Sequence, residues 1–319
     1  MRDLDGIKDR FVGRFVDKAT DEDISDGIRA RIFAVLKKPV TYAVVVGVLV
    51  IMSPVMMWQY GFVPTTTPQI MEYKGAPAGT ITVATLRDMI KSARAHGWVA
   101  NDLLWPRIVL PYRYRFEVGE WNAWQQITYN LKFNLSREGR SDRIDRNLIN
   151  ANSAINNSAE KWWFPSAESK MDEAIAALDA YLATLPTKQN FYLRATTLYA
   201  LIDGFASTLG GSMADLADNP DVGFLQGYDP FHYAKGQVYV VSTMLKAVQI
   251  EFADVLVSKR GSAKQLEDAI HWLDQALSVS PLIVSNGEWN VVSDLSTLAN
   301  RISKAQQFLV PLADTLRNG

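Results

Sequence analysis

Residues 35–62 read VLKKPVTYAVVVGVLVIMSPVMMWQYGF, and the reading of every other segment depends on this one. No charged side chain occurs between Lys38 and Glu72. As a helix, residues 40–63 extend about 35 Å at 1.5 Å per residue, against a hydrocarbon layer about 30 Å thick. Tyr42 lies near one end and Trp58, Tyr60 and Phe62 near the other, where rings sit at headgroup level. Ser53-Pro54 is expected to kink the outer half, a defect that a membrane helix absorbs. A buried core helix rarely runs so far without a charge. A cleaved signal peptide begins nearer Met1 and has a shorter apolar run, about 7–15 residues. The stretch therefore predicts a single transmembrane helix over residues 39–63, acting as a signal anchor.

The flanks orient it. Arg29, Arg31, Lys37 and Lys38 precede the span with no acid after Asp26, whereas the first basic residue beyond it, Lys74, stands near Glu72. The positive-inside rule puts residues 1–38 in the cytoplasm. Residues 64–319 then lie outside, in the periplasm of a bacterium with two membranes. The expected location is the bacterial inner membrane, single-pass.

The cytoplasmic arm, residues 1–38, carries two apolar stripes at helical spacing. One is Leu4, Ile7, Phe11, Val12, Phe15 and Val16; the other is Ile24, Ile28, Ile32, Val35 and Leu36. Such an arm can lie on the inner leaflet, dock on a partner, or fold on itself as a helical hairpin.

Outward of the span, VPTTTPQIMEYKGAPAGT (63–80) is rich in proline, threonine and glycine and reads as an extended linker, residues 64–81. Residues 82–319 then follow a helical pattern almost throughout. Helices are expected over 82–96, with Thr82 or Thr85 as cap and Gly97 as terminator, and over 117–136, 142–157, 167–185, 189–208, 230–259, 263–278 and 294–316. Asp229-Pro230 suggests a cap followed by proline in the first turn, Ser262 a start after Gly261, and Ser169-x-x-Asp172 a cap within the helix from 167. Residues 230–259 would form a long spine. Only 282–292, around Asn286-Gly287, suggests a small hairpin. MDEAIAALDAYLATLP (171–186) and LEDAIHWLDQALSVSP (266–281) are alike, as a duplicated unit or simply as two amphipathic helices ending in proline. The fold class is all-α: one N-terminal transmembrane helix followed by a multi-helix periplasmic bundle.

Composition narrows the chemistry. Lys+Arg is 33 and Asp+Glu 34, a formal net charge of -1, so a nucleic-acid surface is not expected. Cysteine is absent, which removes disulfides, thiol nucleophiles and thiolate metal sites. His96, His232 and His271 are far apart, and no metal site or cofactor is expected.

GWVANDLLWP (97–106), SREGRSDRID (136–145) and SNG (285–287) before a final helix resemble an uncharacterised bacterial inner-membrane protein family, domain of unknown function 2333. The resemblance covers most of residues 40–319. It implies one N-terminal span and a helical outer domain, and it brings no activity, cofactor or catalytic residue. The arm before the span is read as an addition to the usual pattern.

No motif carries a reaction. GGSMA (210–214) misses the nucleophile-elbow pattern at its last residue, and Ser158-x-x-Lys161 lacks the companions of an SxxK enzyme. Glu117 and Glu120 share a helical face with Trp121 and Trp124, an arrangement that could serve a glycosidase, although such residues ordinarily form a solvated face and a core. The tryptophans are the unusual feature, eight of them beyond the span. Trp162-Trp163-Phe164, followed by Pro165, sits between helices where adjacent rings are hard to bury together. It is the first candidate partner or ligand surface. Gly97, Trp98, Asn101 and Asp102 are the second, although Asn and Asp also suit capping a turn. The sequence is read as a non-catalytic scaffold, adaptor or accessory subunit of a cell-envelope complex. Its expected partners are the lipid bilayer and envelope proteins or a second copy. The alternative is a periplasmic enzyme or binding module acting on cell-wall glycan or lipid.

Overall fold

A computed structural model of the chain describes Gly47 and residues 70–73, 75–102, 111–135, 144–188, 191–217, 228–281, 284 and 293–318. The chain divides into two compact units, residues 1–59 and 60–319, and apart from Gly47 everything described belongs to the second. The transmembrane helix expected over 39–63, the arm expected over 1–38 and the flanking Arg29, Arg31, Lys37 and Lys38 otherwise lie outside the described residues, as do all but Val284 of the hairpin expected over 282–292. Among the described residues no helix is long and apolar enough to cross a membrane.

The second unit is all-helical, with no strand among the described residues. Its helices are α1 (Thr80–Ala95), α2 (Pro111–Asn130, continued by a π-helical turn Leu131–Leu135), α3 (Arg146–Ile155), α4 (Ala167–Lys188), α5 (Ala195–Ala217), α6 (Tyr228–Glu251), α7 (Ala253–Ser258), α8 (Ser262–Leu277) and α9 (Asp294–Asn318). A short 3₁₀ turn, Ile70–Tyr73, precedes them.

Helix α6 is the centre. Every residue from 236 to 245 is buried, and α1, α2, α5 and α8 pack around it. A helix enclosed on all sides needs apolar residues all round rather than a stripe, and QVYVVSTML (237–245) supplies them with only small or bonded polar groups. Helix α9 bridges α5 and α8, while the α3–α4 pair closes against α1 and α2. The main apolar core draws on all nine helices found among the described residues.

Two glycines set the α2–α6 approach. A Cβ on Gly119 would collide with the Tyr233 carbonyl oxygen, and one on Gly236 with the Phe116 carbonyl oxygen. The two backbones thus meet at reciprocal points with no room for a side chain.

Several boundaries differ from those expected, each for a local reason. Residues 70–81 are not wholly linker: Ile70 and Ile81 are buried against Ala247, and the Tyr73 hydroxyl donates to Asp88 at 2.8 Å. Helix α1 is capped by Gly79, at φ 90°, rather than by Thr82 or Thr85. Its free N–H groups are taken by a distant acid instead: Glu251 accepts from Gly79 N at 2.9 Å and Thr82 N at 2.8 Å. Helix α2 begins at Pro111, whose fixed φ suits a first helical position. Ser166, not Ser169, begins α4, accepting at its hydroxyl from Ser169 N. Asp229 lies inside the first turn of α6 and pairs with Arg115 at 2.6 Å. The expected spine is interrupted at Phe252, whose ring is buried and meets Phe191 at 6.2 Å.

Candidate functional site

The two stretches singled out as candidate surfaces meet in the structure but do opposite jobs. Trp162, Trp163 and Phe164 are 55, 66 and 90% exposed, in the connection between α3 and α4. They form a contiguous aromatic tip, with the two indoles 5.9 Å apart. Trp98 and Asn101, by contrast, are buried. They belong to the support under the tip, not to a surface. Gly97, at φ 80°, ends α1 as its position suggests, and Asp102 is half-buried.

The support is a set of side chains that capture alternate carbonyl oxygens of the connection. Trp98 Nε1 donates to Ala159 O at 2.8 Å and Trp121 Nε1 to Asn157 O at 3.0 Å. Gln125 Nε2 donates to Ile155 O and Asn157 O at 3.1 and 3.0 Å. Asn101 Nδ2 donates to Lys161 O at 3.2 Å, and Ala167 N reaches the same oxygen at 2.9 Å. The carbonyls of residues 155, 157, 159 and 161 are therefore all satisfied from inside the domain. Nearby, the Tyr114 hydroxyl bonds the Glu160 carboxylate. A loop so held keeps its rings outward without a secondary-structure ladder of its own.

The supporting rings form a closed cluster. Trp98, Trp121 and Trp124 have centroids 5.6, 5.8 and 6.2 Å apart and are all buried. Beside them lies an enclosed charge pair. Arg113, 1% exposed, donates from Nε to Glu117 Oε1 at 2.8 Å and from its terminal nitrogen to the carbonyls of Gly97 and His96. Glu117 Oε2 accepts from Val99 N at 2.7 Å and Ala100 N at 2.8 Å. Arg113 and Glu117, one helical turn apart on α2, thus staple the turn after α1 to α2.

Burial pushes the Glu117 carboxyl up to about 7, although Arg113 and the two N–H groups favour its charged form. Glu120 is raised well above the ordinary range by burial and by the nearby Glu117 charge. Both acids are enclosed with the tryptophans, at 3 and 5% exposure. Among the described residues they do not flank an open cleft of the kind a glycosidase needs. The other candidate motifs resolve as structure. Ser212 is buried within α5, with its hydroxyl on Thr208 O and Gln237 Oε1. Ser158 Oγ accepts from Glu160 N as a turn residue. Among the described residues no group of His, Asp and Glu is placed to hold a metal ion. An open groove of about 480 Å³ between α3 and α4 is lined by Asn147, Asn150, Ser153, Glu173 and several alanines.

Sequence reasoning found the tip and missed its support. Gln125 and the Arg113–Glu117 staple went unremarked, although the i, i+4 spacing of the latter was visible. Trp98 and Asn101 were placed on the wrong side of the surface.

A family model described as an uncharacterized protein conserved in bacteria, DUF2333, matches residues 27–222 and 218–319. The chain belongs to this family. The match takes in the tip, the side chains that support it and the apolar stretch, and begins inside the arm rather than after it. No curated protein and no solved structure matches the chain.

Proposed function

We propose that this DUF2333 member is a non-catalytic, single-pass inner-membrane protein. Its N-terminus is cytoplasmic, and its helical domain stands in the periplasm as a scaffold, adaptor or accessory subunit of an envelope complex. The topology rests on the uncharged run between Lys38 and Glu72 and on the basic residues before it. One observation carries the role: Trp162, Trp163 and Phe164 are held outward by buried side chains, so an interaction feature is built into the domain. A protein that merely buried its tryptophans would need no such support. The enclosure of Glu117 and Glu120 supports the non-catalytic reading, and Glu117 is in addition used to hold a turn.

A reporter enzyme that is active only after export, fused after Gly319, is expected to be active in intact cells. A silent but fully expressed fusion would overturn the topology. Mild detergent extraction should then recover the chain with envelope proteins in fixed stoichiometry. Recovery alone, together with cosedimentation of the full chain with purified cell-wall glycan, would overturn the scaffold role in favour of a glycan-directed one.

A further inference from the structure

We infer that the Trp162-Trp163-Phe164 tip is a second membrane contact, in which the rings enter the headgroup region of a lipid bilayer and hold the helical domain against it. The inference rests on the anchored topology proposed above.

Three observations favour lipid over protein as the occupant. The first is the residue chemistry: two indoles and a phenyl ring, contiguous and 55 to 90% exposed. Indoles partition to the boundary between headgroups and acyl chains, where one edge is apolar and the N–H stays wet.

The second is the backbone beneath them. Entering a bilayer costs most where peptide groups lose water without replacement. Here the carbonyls of residues 155, 157, 159 and 161 are already bonded by Gln125, Trp121, Trp98 and Asn101. A protein hot spot would instead be expected at the centre of a wider packed patch, ringed by side chains that exclude water. Here the flanking Asn156, Ser158 and Glu160 are exposed and polar. Among the described residues Tyr129, Val257 and Val310, also exposed and apolar, lie singly on separate helices.

The third is the tether. Only residues 64–69 separate the assigned span from the first described residue of the domain, Ile70. That chain reaches about 25 Å at full extension. A domain of the length of residues 70–319 has a radius of gyration of about 18 Å. The leash is comparable with the domain itself, so a bilayer surface is always within reach at high effective concentration.

The test uses the full chain reconstituted in phosphatidylethanolamine–phosphatidylglycerol vesicles that carry lipids brominated at the shallow acyl carbons. Fluorescence of the wild type minus that of the W162F/W163F variant isolates the two tip indoles from the other tryptophans. That difference signal is expected to fall at least twofold in brominated vesicles, and an unchanged signal overturns the inference. Alkaline carbonate separates the two failures. A chain stripped from vesicles defeats the anchored reading and this inference with it, whereas a retained chain with unquenched tip indoles defeats only this one. A benzoylphenylalanine residue in place of Phe164, irradiated in native membranes, should give lipid adducts. Protein adducts in their stead would assign the tip to a protein partner and overturn the lipid assignment. The substituted side chains are exposed, so an unchanged melting temperature is expected to accompany each result.

Discussion

Trp98, Trp121 and Trp124 on one side and Trp162, Trp163 and Phe164 on the other are nearly the same chemistry with opposite fates. The first three share a closed cluster and are almost fully buried. The second three project into solvent a few residues from where Trp98 and Trp121 donate their hydrogen bonds. Hydrophobicity cannot account for the division, since an indole is equally apolar in both places. The backbone under each ring accounts for it. Trp121 and Trp124 ride on a helix pressed between neighbours, whereas Trp162 and Trp163 sit in a connection whose carbonyls are turned inward and fixed. The buried rings are the mounting, and the exposed rings are what is mounted.

That contrast can be broken most forcefully at its base. Glu117→Ala should cost about 3–5 kcal/mol, because it leaves Arg113 Nε and the Val99 and Ala100 N–H groups buried without their acceptor. Equilibrium urea unfolding would measure it. Trp121→Ala is expected to cost a similar 3–5 kcal/mol through the cavity left in the cluster. Trp163→Ala, at an exposed site, should stay within about 0.5 kcal/mol. Equal losses for the two tryptophans would refute the division between mounting and mounted.

Next comes pH. Glu117 and Glu120 have carboxyls raised by burial, so the folded state holds protons that the unfolded chain releases. The stability this brings is complete below the ordinary carboxylate value of 4.5 and drains as pH rises to about 7 for Glu117, and further for Glu120. Each such group contributes a slope of at most about 1.4 kcal/mol per pH unit. Glu120→Gln should remove its share and leave the variant more stable than the wild type at pH 8, as read from melting temperature against pH.

The last effect is the most local. Asn101→Ala removes hydrogen bonds to the Lys161 carbonyl and the Glu168 carboxylate and should cost about 1–2 kcal/mol. Amide exchange should nonetheless accelerate selectively around residues 159–164, while the α6 amides keep their protection.

Much of this fold was legible in the sequence. Helices α1, α3, α4, α8 and α9 follow amphipathic stripes, and their observed ends fall close to those the pattern predicts. Helix α2 starts earlier than expected because Pro111, which looks like a break, occupies a first-turn position that proline favours. The helix expected over 189–208 is found over Ala195–Ala217, starting later and running on through Gly210 and Gly211. Gly204 in fact lies where any side chain would strike the Asn130 amide. The site was half legible. Three adjacent bulky rings between helices announce exposure. The burial of Trp98 depends on a carbonyl 61 residues along the chain, which no local pattern encodes.

The crossing of α2 and α6 has an evolutionary corollary. At Gly119 and Gly236 the opposing atom is in each case a peptide oxygen, not a side chain. A methyl group added at either position therefore has no facing residue that could shrink to accommodate it. Second-site suppressors of Gly119→Ala should not map to Tyr233 or its mirror at Phe116. They would have to re-space two whole helices, so in a genetic screen these positions should behave as dead ends.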